Sequence, residues 1–242
     1  MRIPRIYHPE PLAAGATVEL SASAAHHLLR VLRLQPGAPL ILFDGCGGQY
    51  RALLAEAGRK GATASLVAHQ AVELESPLVV TLAQGVSKGE RMDYAIQKAV
   101  ELGVARIVPV LCERTVVSLK GDRWEKKLAH WRGVIVGAAE QCGRNCLPQL
   151  SEPLRLDALL ASPPTGIGVV LDPGADQGLA FLERETAATL LVGPEGGLSD
   201  QEIAAAVRAG YTGVRMGPRV LRTETAAVAA LSALQVLWGD LG

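Results

Sequence analysis

The sequence lacks the features that mark secreted, membrane-spanning or disulfide-bonded proteins. Its four cysteines are scattered along the chain and do not form the dense pattern of a small secreted domain. Apolar runs such as 166–171 are far too short for a membrane-spanning helix, and the start MRIPRIYHPE contains no signal-peptide apolar segment. We therefore expect a cytoplasmic protein with reduced cysteines and no membrane contact.

A metal site has little support in the sequence. Cys142 and Cys146 are four residues apart and could share one face of a helix. No second pair of cysteines or histidines with ligand spacing accompanies them, although zinc sites commonly use such pairs. We expect no bound metal.

Aromatic residues and net charge are also scarce. Aromatics make up 4% of the chain against 49% apolar residues, so the core must be built from Ala, Leu and Val. The 24 basic and 24 acidic residues cancel, which gives no overall attraction to nucleic acid. Basic residues are most concentrated in the middle third, so a phosphate-binding face would be local. A solvated surface explains this charge equally well.

Short apolar segments typical of β-strands fill the first seventy residues. Glycine-rich turns such as 44–48 separate them, and a helix over 24–32, capped by Ser23, interrupts them. This pattern predicts a small β-barrel with one inserted helix. The polar stretch 72–77 then indicates a boundary between domains at 1–71 and 76–242. The predicted strands are 17–20, 39–44, 49–55 and 62–68.

After this boundary, strand-like runs alternate with helical segments, which favours a mostly parallel α/β sheet. Helices are predicted over 90–102, from a cap at Asp122, and over 223–238. Trp124 and Trp131 belong to an apolar stripe of the second helix, so we expect packing, although base stacking is an alternative. The predicted strands are 78–84, 107–111, 167–171, 189–192 and 213–216.

Two loops that follow predicted strands are candidates for a ligand site. The first, Gly193 to Gly197, leads into a helix with a capping box formed by Ser199 and Glu202. The second runs over 217–225 and precedes an alanine-rich helix. In open α/β sheets ligands bind beyond the carboxyl ends of strands, and we expect these two strands to be neighbours. The alternative for the first loop is a simple tight turn.

The second loop contains a dense polar cluster over 222–225. Thr223 and Glu224 could simply begin the following helix, with Arg222 on the surface. The chain has neither a GxGxxG fingerprint nor a Walker lysine loop, so dinucleotide and nucleoside-triphosphate sites lack their phosphate cradles. A glycine-lined pocket for a ligand without phosphate fits better.

Several segments together resemble one family. LLVGPEGGLSDQE (190–202) and MGPRVLRTETAAVAALSALQ (216–235) are similar to the signature loops of the SPOUT class of S-adenosylmethionine methyltransferases. The closer resemblance is to the ribosomal small-subunit methyltransferase E family. Cys142 departs from the serine expected in the family's AAEQSGR. The other matching segments are MRIPRIY, HHLLRVLRL, KGERMDYAIQKAVELGV, ERT and AAEQCGR.

The resemblance implies a fold, a reaction and a cofactor. An N-terminal PUA-like β-barrel would contact RNA, and a C-terminal SPOUT-type α/β domain would carry a trefoil knot at its chain end and form a homodimer. The family uses S-adenosylmethionine to methylate N3 of a uridine in 16S ribosomal RNA of the small subunit. The strand end 171–173 would form a third wall of the cofactor site. The implied cofactor-binding residues are Leu171, Gly193, Pro194, Gly196, Met216, Gly217, Leu221 and Thr225.

Methyl transfer to a uracil nitrogen requires removal of a weakly acidic imino proton. A cation that stabilises the uracil anion, or a base, would assist this step. Arg222 is the candidate cation. Glu195 and Glu224 are candidates for a base or for orienting the arginine, with capping and turn hydrogen bonds as the structural alternatives.

For RNA contact we expect basic residues on the barrel, with others across the cleft. Arg30 and Arg33 could equally be solvated helix residues. Two other functions remain open, a ribosome-assembly chaperone without catalysis and a metabolic enzyme that binds a nucleotide. The candidate RNA-binding residues are Arg2, Arg5, Arg30 and Arg33 on the barrel and Lys88, Arg91 and Arg144 across the cleft.

Overall fold

The computed structural model describes residues 3–58, 61–117 and 121–242. The chain divides into two compact units. The first contains Met1–Glu75 and Ala139–Leu147, and the second contains Ser76–Ala138 and Pro148–Gly242. The segment Ala139–Leu147 thus belongs to the first unit, although it lies inside the range 76–242 assigned from sequence to the second domain.

The first unit is built on a five-stranded sheet with the order β1-β3-β4-β5-β2. The four strands predicted from short apolar segments are confirmed, whereas β1 was not predicted. β1 runs parallel to β3, and the other pairings are antiparallel. The strands are β1 (Arg5–Tyr7), β2 (Thr17–Glu19), β3 (Pro39–Phe43), β4 (Gln49–Gly58) and β5 (Gly61–Gln70).

The inserted helix of the first unit is confirmed, but its cap is not. Helix α1 spans Ala22–His26 and continues as a π-helical turn over His27–Val31. Its cap is Ser21, whose hydroxyl accepts the Ala24 N–H at 3.1 Å. The prediction of Ser23 as the cap was wrong, because the helix begins at Ala22 and not at the predicted start, Ala24.

The second unit is built on a seven-stranded sheet with the order β12-β10-β11-β6-β7-β8, and β9 also pairs with β7. Every pairing in it is parallel, as predicted. The strands β8 and β9 were not predicted because each has only two residues. The strands are β6 (Val79–Gly85), β7 (Arg106–Leu111), β8 (Gln149–Leu150), β9 (Leu154–Arg155), β10 (Ile167–Leu171), β11 (Ala187–Val192) and β12 (Tyr211–Val214).

Helices connect these strands, and the three predicted from periodicity are confirmed. The predicted capping box is also present, since Ser199 and Glu202 each bond the other's backbone N–H. Across the described ranges, no helix is both long enough and apolar enough to cross a membrane. The helices are α2 (Glu90–Glu101), α3 (Asp122–Cys142), α4 (Leu156–Leu160), α5 (Asp200–Arg208), α6 (Thr223–Leu237) and a 3-10 turn at Leu179–Phe181.

The tryptophans of α3 pack and do not present free faces to solvent. Trp131 is fully buried, and its indole N–H donates to Asp93 Oδ1 of α2 at 3.1 Å. Trp124 is half-buried, with its ring centroid 6.3 Å from that of Trp131. Packing is therefore confirmed over base stacking for Trp131.

We predict that Trp131→Ala destabilises the protein by about 3–5 kcal/mol, because it leaves a large cavity and removes one partner of Asp93. Trp124→Ala, which removes a half-buried ring, should cost only about 1 kcal/mol. Urea unfolding followed by circular dichroism measures both. Equal losses for the two variants would contradict this account of the α3 packing.

Candidate ligand-binding site

The ends of three parallel strands surround a cavity of about 320 Å³ in the second unit. Its walls come from the residues that follow β10, β11 and β12 at the carboxyl edge of the sheet. This is where open α/β sheets bind ligands, and the volume is within the roughly 300–1,000 Å³ typical of such sites. The glycine loops predicted from sequence therefore border a real cavity.

The strands that carry these two loops are not neighbours, so that expectation was wrong. β10 lies between β11 and β12. The strand end after Leu171 then supplies the wall between the two loops, and Asp172 and Pro173 line the cavity. Strand order in a parallel sheet depends on tertiary packing, which proximity along the chain does not specify.

The end of β6 lies directly against the backbone of the loop after β11. A Cβ on Gly85 would be 2.4 Å from the Pro194 nitrogen and 2.6 Å from the Gly193 carbonyl carbon. Both neighbours are backbone, which cannot rotate away as a side chain can. Only glycine fits at position 85 without moving the cavity wall.

The hydroxyl of Thr223 fastens the first turn of α6 to the same loop. It donates to the Gly193 carbonyl at 2.6 Å and accepts from the Gln84 side-chain amide at 2.9 Å. Thr223 and Gln84 are both buried. Thr223 and Glu224 begin α6 and the exposed Arg222 occupies its cap position, as the structural alternative for this cluster stated.

Arg114 fastens the other side of that loop. Its guanidinium Nη1 donates to the Gly196 carbonyl at 3.0 Å and to the Leu198 carbonyl at 3.3 Å. It also lines the cavity. Arg114 belongs to the matching ERT segment, but the sequence predicted no role for it. No local pattern indicates that an arginine after β7 contacts a loop about eighty residues later in the chain.

Glu195, a cavity-lining candidate for the base, is held by hydrogen bonds. Its Oε1 accepts the backbone N–H of Lys88 at 2.7 Å and Arg91 Nη1 at 3.2 Å. Burial acts to raise its pKa, but these donors and the Arg91 charge outweigh burial and hold the pKa below its usual range. Glu195 is therefore ionised at neutral pH and is a weak proton acceptor.

Glu224 lies in the first turn of α6, and its Oε1 is 4.0 Å from Arg91 Nε. Its other oxygen, Oε2, is buried, and no group in the described part of the chain hydrogen-bonds to it. Arg222 is exposed and does not line the cavity. Two of the three catalytic candidates, Glu195 and Glu224, thus lie near Arg91, and the third, Arg222, is exposed.

Most of the cofactor candidates border the cavity. Thr225 does not line it and is exposed, whereas the neighbouring Thr223, which had no cofactor role in the sequence interpretation, does line it. The candidates that line the cavity are Leu171, Gly193, Pro194, Gly196, Met216, Gly217 and Leu221.

Two of the RNA-binding candidates in the first unit are engaged within that unit. Arg5 donates to Asn145 Oδ1 at 2.6 Å and to the Arg144 carbonyl at 3.1 Å. Arg144 is buried, and its Nε donates to both carboxylate oxygens of Glu75 at 3.1 Å. These contacts tie the segment Ala139–Leu147 to the sheet of the first unit.

The other RNA-binding candidates differ in exposure. Arg30 and Arg33 are exposed at and just beyond the π-helical turn, and Arg33 has a left-handed backbone with φ of +54°. Lys88 and Arg91 are exposed at the start of α2. Arg2 lies outside the described residues.

Within the described residues, one group of metal-ligating atoms occurs in the first unit, and it includes Cys146 of the cysteine pair considered from sequence. Atoms of Glu73, Glu75 and Cys146 lie within 4.8 Å of one another. Glu75 is paired with Arg144, and Glu73 accepts the Gly48 N–H. Burial and the two carboxylates raise the pKa of Cys146 to about 11. Because both carboxylates already have partners and the thiol is protonated, we propose no metal at this group.

The chain matches two protein-family models. An RNA methyltransferase domain matches residues 74–235, and an RNA methyltransferase PUA domain matches residues 20–67. Ribosomal RNA small subunit methyltransferase E from Buchnera aphidicola is 35% identical over 99% of this chain and 98% of its own length. The protein of the same name from Mycobacterium bovis is 36% identical over 92% of this chain and 87% of its own length.

Solved structures with the same fold include two complexes with S-adenosylmethionine. A methyltransferase from Legionella pneumophila with that bound cofactor has a TM-score of 0.96 and 40% identity, with full coverage of both chains. Ribosomal RNA small subunit methyltransferase E from Neisseria gonorrhoeae, also bound to S-adenosylmethionine, has a TM-score of 0.92 and 38% identity, with full coverage of both chains.

We predict that Thr223→Val destabilises the protein by about 1–3 kcal/mol, because the part-buried Gly193 carbonyl and the buried Gln84 amide each lose a partner. Thr223→Ser retains the hydroxyl and should cost less than half as much. Chemical denaturation compares the two. If valine and serine were equally tolerated, the hydroxyl would not be fastening the loop.

Proposed function

The chain belongs to the ribosomal RNA small subunit methyltransferase E family of RNA methyltransferases, and we propose that it methylates N3 of a uridine in 16S ribosomal RNA with S-adenosylmethionine. The observation that carries this proposal is the cavity at the ends of β10, β11 and β12. Seven of the eight residues that the family resemblance assigned to the cofactor border it. The protein would act in the cytoplasm on the small ribosomal subunit or its RNA.

The cavity offers backbone groups to adenosylmethionine, and the sequence has neither the GxGxxG fingerprint nor the Walker lysine loop of a phosphate cradle, although Arg215 and Arg219 also line the cavity. Gly197 and Gly217 line it with φ of +70° and +76°, and a Cβ on either would point into open space. A ligand can therefore approach their peptide groups closely. Arg114, which also lines the cavity, already donates to two loop carbonyls.

In the proposed reaction the sulfonium–methyl bond breaks, a bond from that methyl carbon to uracil N3 forms, and the imino proton leaves. Adenosylmethionine supplies the electrophilic methyl group. The protein's part is to align the two reactants and to favour the uracil anion. We propose that Arg222, an exposed residue at the N-cap of α6, supplies the cation that stabilises that anion, and the helix dipole would act in the same direction.

The two carboxylates take different roles in this proposal. Glu195 is ionised and held by two donors, so it orients the loop after β11 and is a poor base. Glu224 has a buried oxygen to which no group in the described ranges hydrogen-bonds, and we propose it as the acceptor of the imino proton. The proton would leave through Glu224 or through solvent water.

For RNA contact we propose Arg30, Arg33 and Lys88, which are exposed and for which no ion pair is found in the described ranges. Arg2 remains an expectation from sequence. Arg5 and Arg144 are used within the first unit, and we assign them to its internal packing. Phosphate contacts of this kind give salt-dependent affinity and little sequence selectivity.

We further propose that the chain forms a homodimer and that its C-terminal end carries the family's trefoil knot. An apolar surface that includes exposed residues from α6 and the 3-10 turn supports the dimer. Phe181 is 80% exposed, and Val236 and Leu237 are 55% and 41% exposed. Soluble monomers rarely leave such apolar groups together in water. Light scattering that gives the mass of one chain would refute the dimer.

We predict that the purified protein binds adenosylmethionine with about one equivalent per chain in isothermal titration calorimetry. ATP and NAD, tested in the same way, should give no heat of specific binding because the cavity has no phosphate cradle. Absence of adenosylmethionine binding defeats the proposed function. Tight binding of ATP or NAD with no response to adenosylmethionine would favour a nucleotide-dependent metabolic enzyme.

We predict that Arg222→Ala lowers kcat for methylation of undermethylated small-subunit RNA by about 100-fold, because the uracil anion loses its cation. Its affinity for adenosylmethionine should stay within twofold of wild type, since Arg222 does not line the cavity. Arg222→Lys should recover part of the loss. Full activity of the alanine variant would exclude Arg222 from the mechanism. If the alanine variant lost methylation but still supported ribosome assembly fully, a chaperone function would be favoured.

A further inference from the structure

One guanidinium lies near carboxylates from two segments that border the cavity, the loop after β11 and the first turn of α6. Arg91 lies in the first turn of α2, with its Nη1 3.2 Å from Glu195 Oε1 and its Nε 4.0 Å from Glu224 Oε1. Glu195 belongs to the loop after β11, and Glu224 belongs to the first turn of α6. The charge of Arg91 is therefore shared between two carboxylates from different parts of the chain.

These contacts are unfavourable for a phosphate at the same site. One guanidinium and two carboxylates have a combined charge of −1, so a phosphate that approached Arg91 would be repelled by Glu195 and Glu224. It would also compete for nitrogens that already face these carboxylates. Lys88, only three residues away, differs because it contacts Glu195 through its backbone N–H and not through its side chain.

Loss of Arg91 would affect both loops. Glu224 Oε2 is buried and has no hydrogen-bond partner in the described part of the chain, so the nearby guanidinium matters to the ionised form of that side chain. The neighbours of the two glutamates, Pro194 and Thr223, line the cavity, whereas Arg91 does not. A shift of either glutamate would therefore move a wall of the cavity.

We propose that Arg91 is a positioning residue for methyl transfer. Through Glu195 and Glu224 it fixes the position of the loop after β11 relative to the first turn of α6. This inference rests on the proposed function, since it concerns the same cavity. It replaces the expectation that Arg91 contacts an RNA phosphate.

Arginine and lysine differ in a way that tests the inference. Arginine offers several nitrogens in a rigid planar fork, and Arg91 uses Nη1 toward one carboxylate and Nε toward the other. Lysine carries one compact ammonium group and cannot face both carboxylates in this way. A residue that only supplies positive charge to a phosphate tolerates lysine much better.

The test compares four variants of the full chain: Arg91→Ala, Arg91→Lys, Lys88→Ala, and Arg208→Ala on the exposed face of α5 as a matched control. We expect both Arg91 variants to lower kcat by about tenfold or more, since small misplacements of reactants are costly. Both should also weaken adenosylmethionine binding measured by calorimetry. The Arg208 variant should match wild type in both measurements.

RNA affinity measured against salt concentration separates positioning from phosphate contact. Affinity for nucleic acid falls as salt rises, and loss of one phosphate contact makes the plot of log affinity against log salt less steep, by about 0.7 for single-stranded nucleic acid. We expect that change for Lys88→Ala and an unchanged slope for Arg91→Ala. Thermal unfolding shows whether each variant is folded. If Arg91→Ala is unfolded, Arg91→Lys takes its place in the comparison of salt dependence.

Two outcomes overturn the inference while leaving the proposed function intact. One is normal kcat in Arg91→Lys together with normal adenosylmethionine binding. The other is a weaker salt dependence of RNA affinity in Arg91→Ala with kcat unchanged. That result would make Arg91 a phosphate contact. Failure of the wild-type protein itself to bind adenosylmethionine or to methylate RNA would instead reject the proposed function.

Discussion

The hydrogen bond from the Thr223 hydroxyl to the Gly193 carbonyl is the contact on which the cavity depends most directly. It joins the first turn of α6 to the loop after β11, and Gln84 of β6 holds the same hydroxyl from the other side. Loops rich in glycine have many accessible conformations, so a defined cavity needs side chains that fix them from outside. Thr223 does this from α6, and Arg114 does it from the segment after β7.

In this arrangement several of the polar side chains that line the candidate site are already bonded to its loops, as Arg114, Glu195 and Thr223 are. Glycines leave the peptide groups of the loops open to a ligand, and the residues that fix the loops spend their donors on loop carbonyls or on Glu195. The ligand would then be recognised mainly by backbone groups and shape. Such recognition suits adenosylmethionine, whose adenosyl and methionine parts carry no phosphate.

Local signals in the sequence predicted much of the fold. The parallel strands, the helices α2, α3 and α6, and the capping box of Ser199 follow from periodicity and cap chemistry. Features that depend on contacts distant in sequence were missed. These include β10 between the two loop-bearing strands, the contacts of Arg114, and the addition of Ala139–Leu147 to the first unit.

The central claim is that this cavity serves methylation of a uridine at N3 in the small-subunit RNA, and the RNA itself tests it most directly. Small-subunit RNA from cells that lack the gene is digested to nucleosides and compared with wild type by mass spectrometry. The account predicts that N3-methyluridine is lost and that it returns when the wild-type gene is restored. Unchanged N3-methyluridine in the cells without the gene would contradict it.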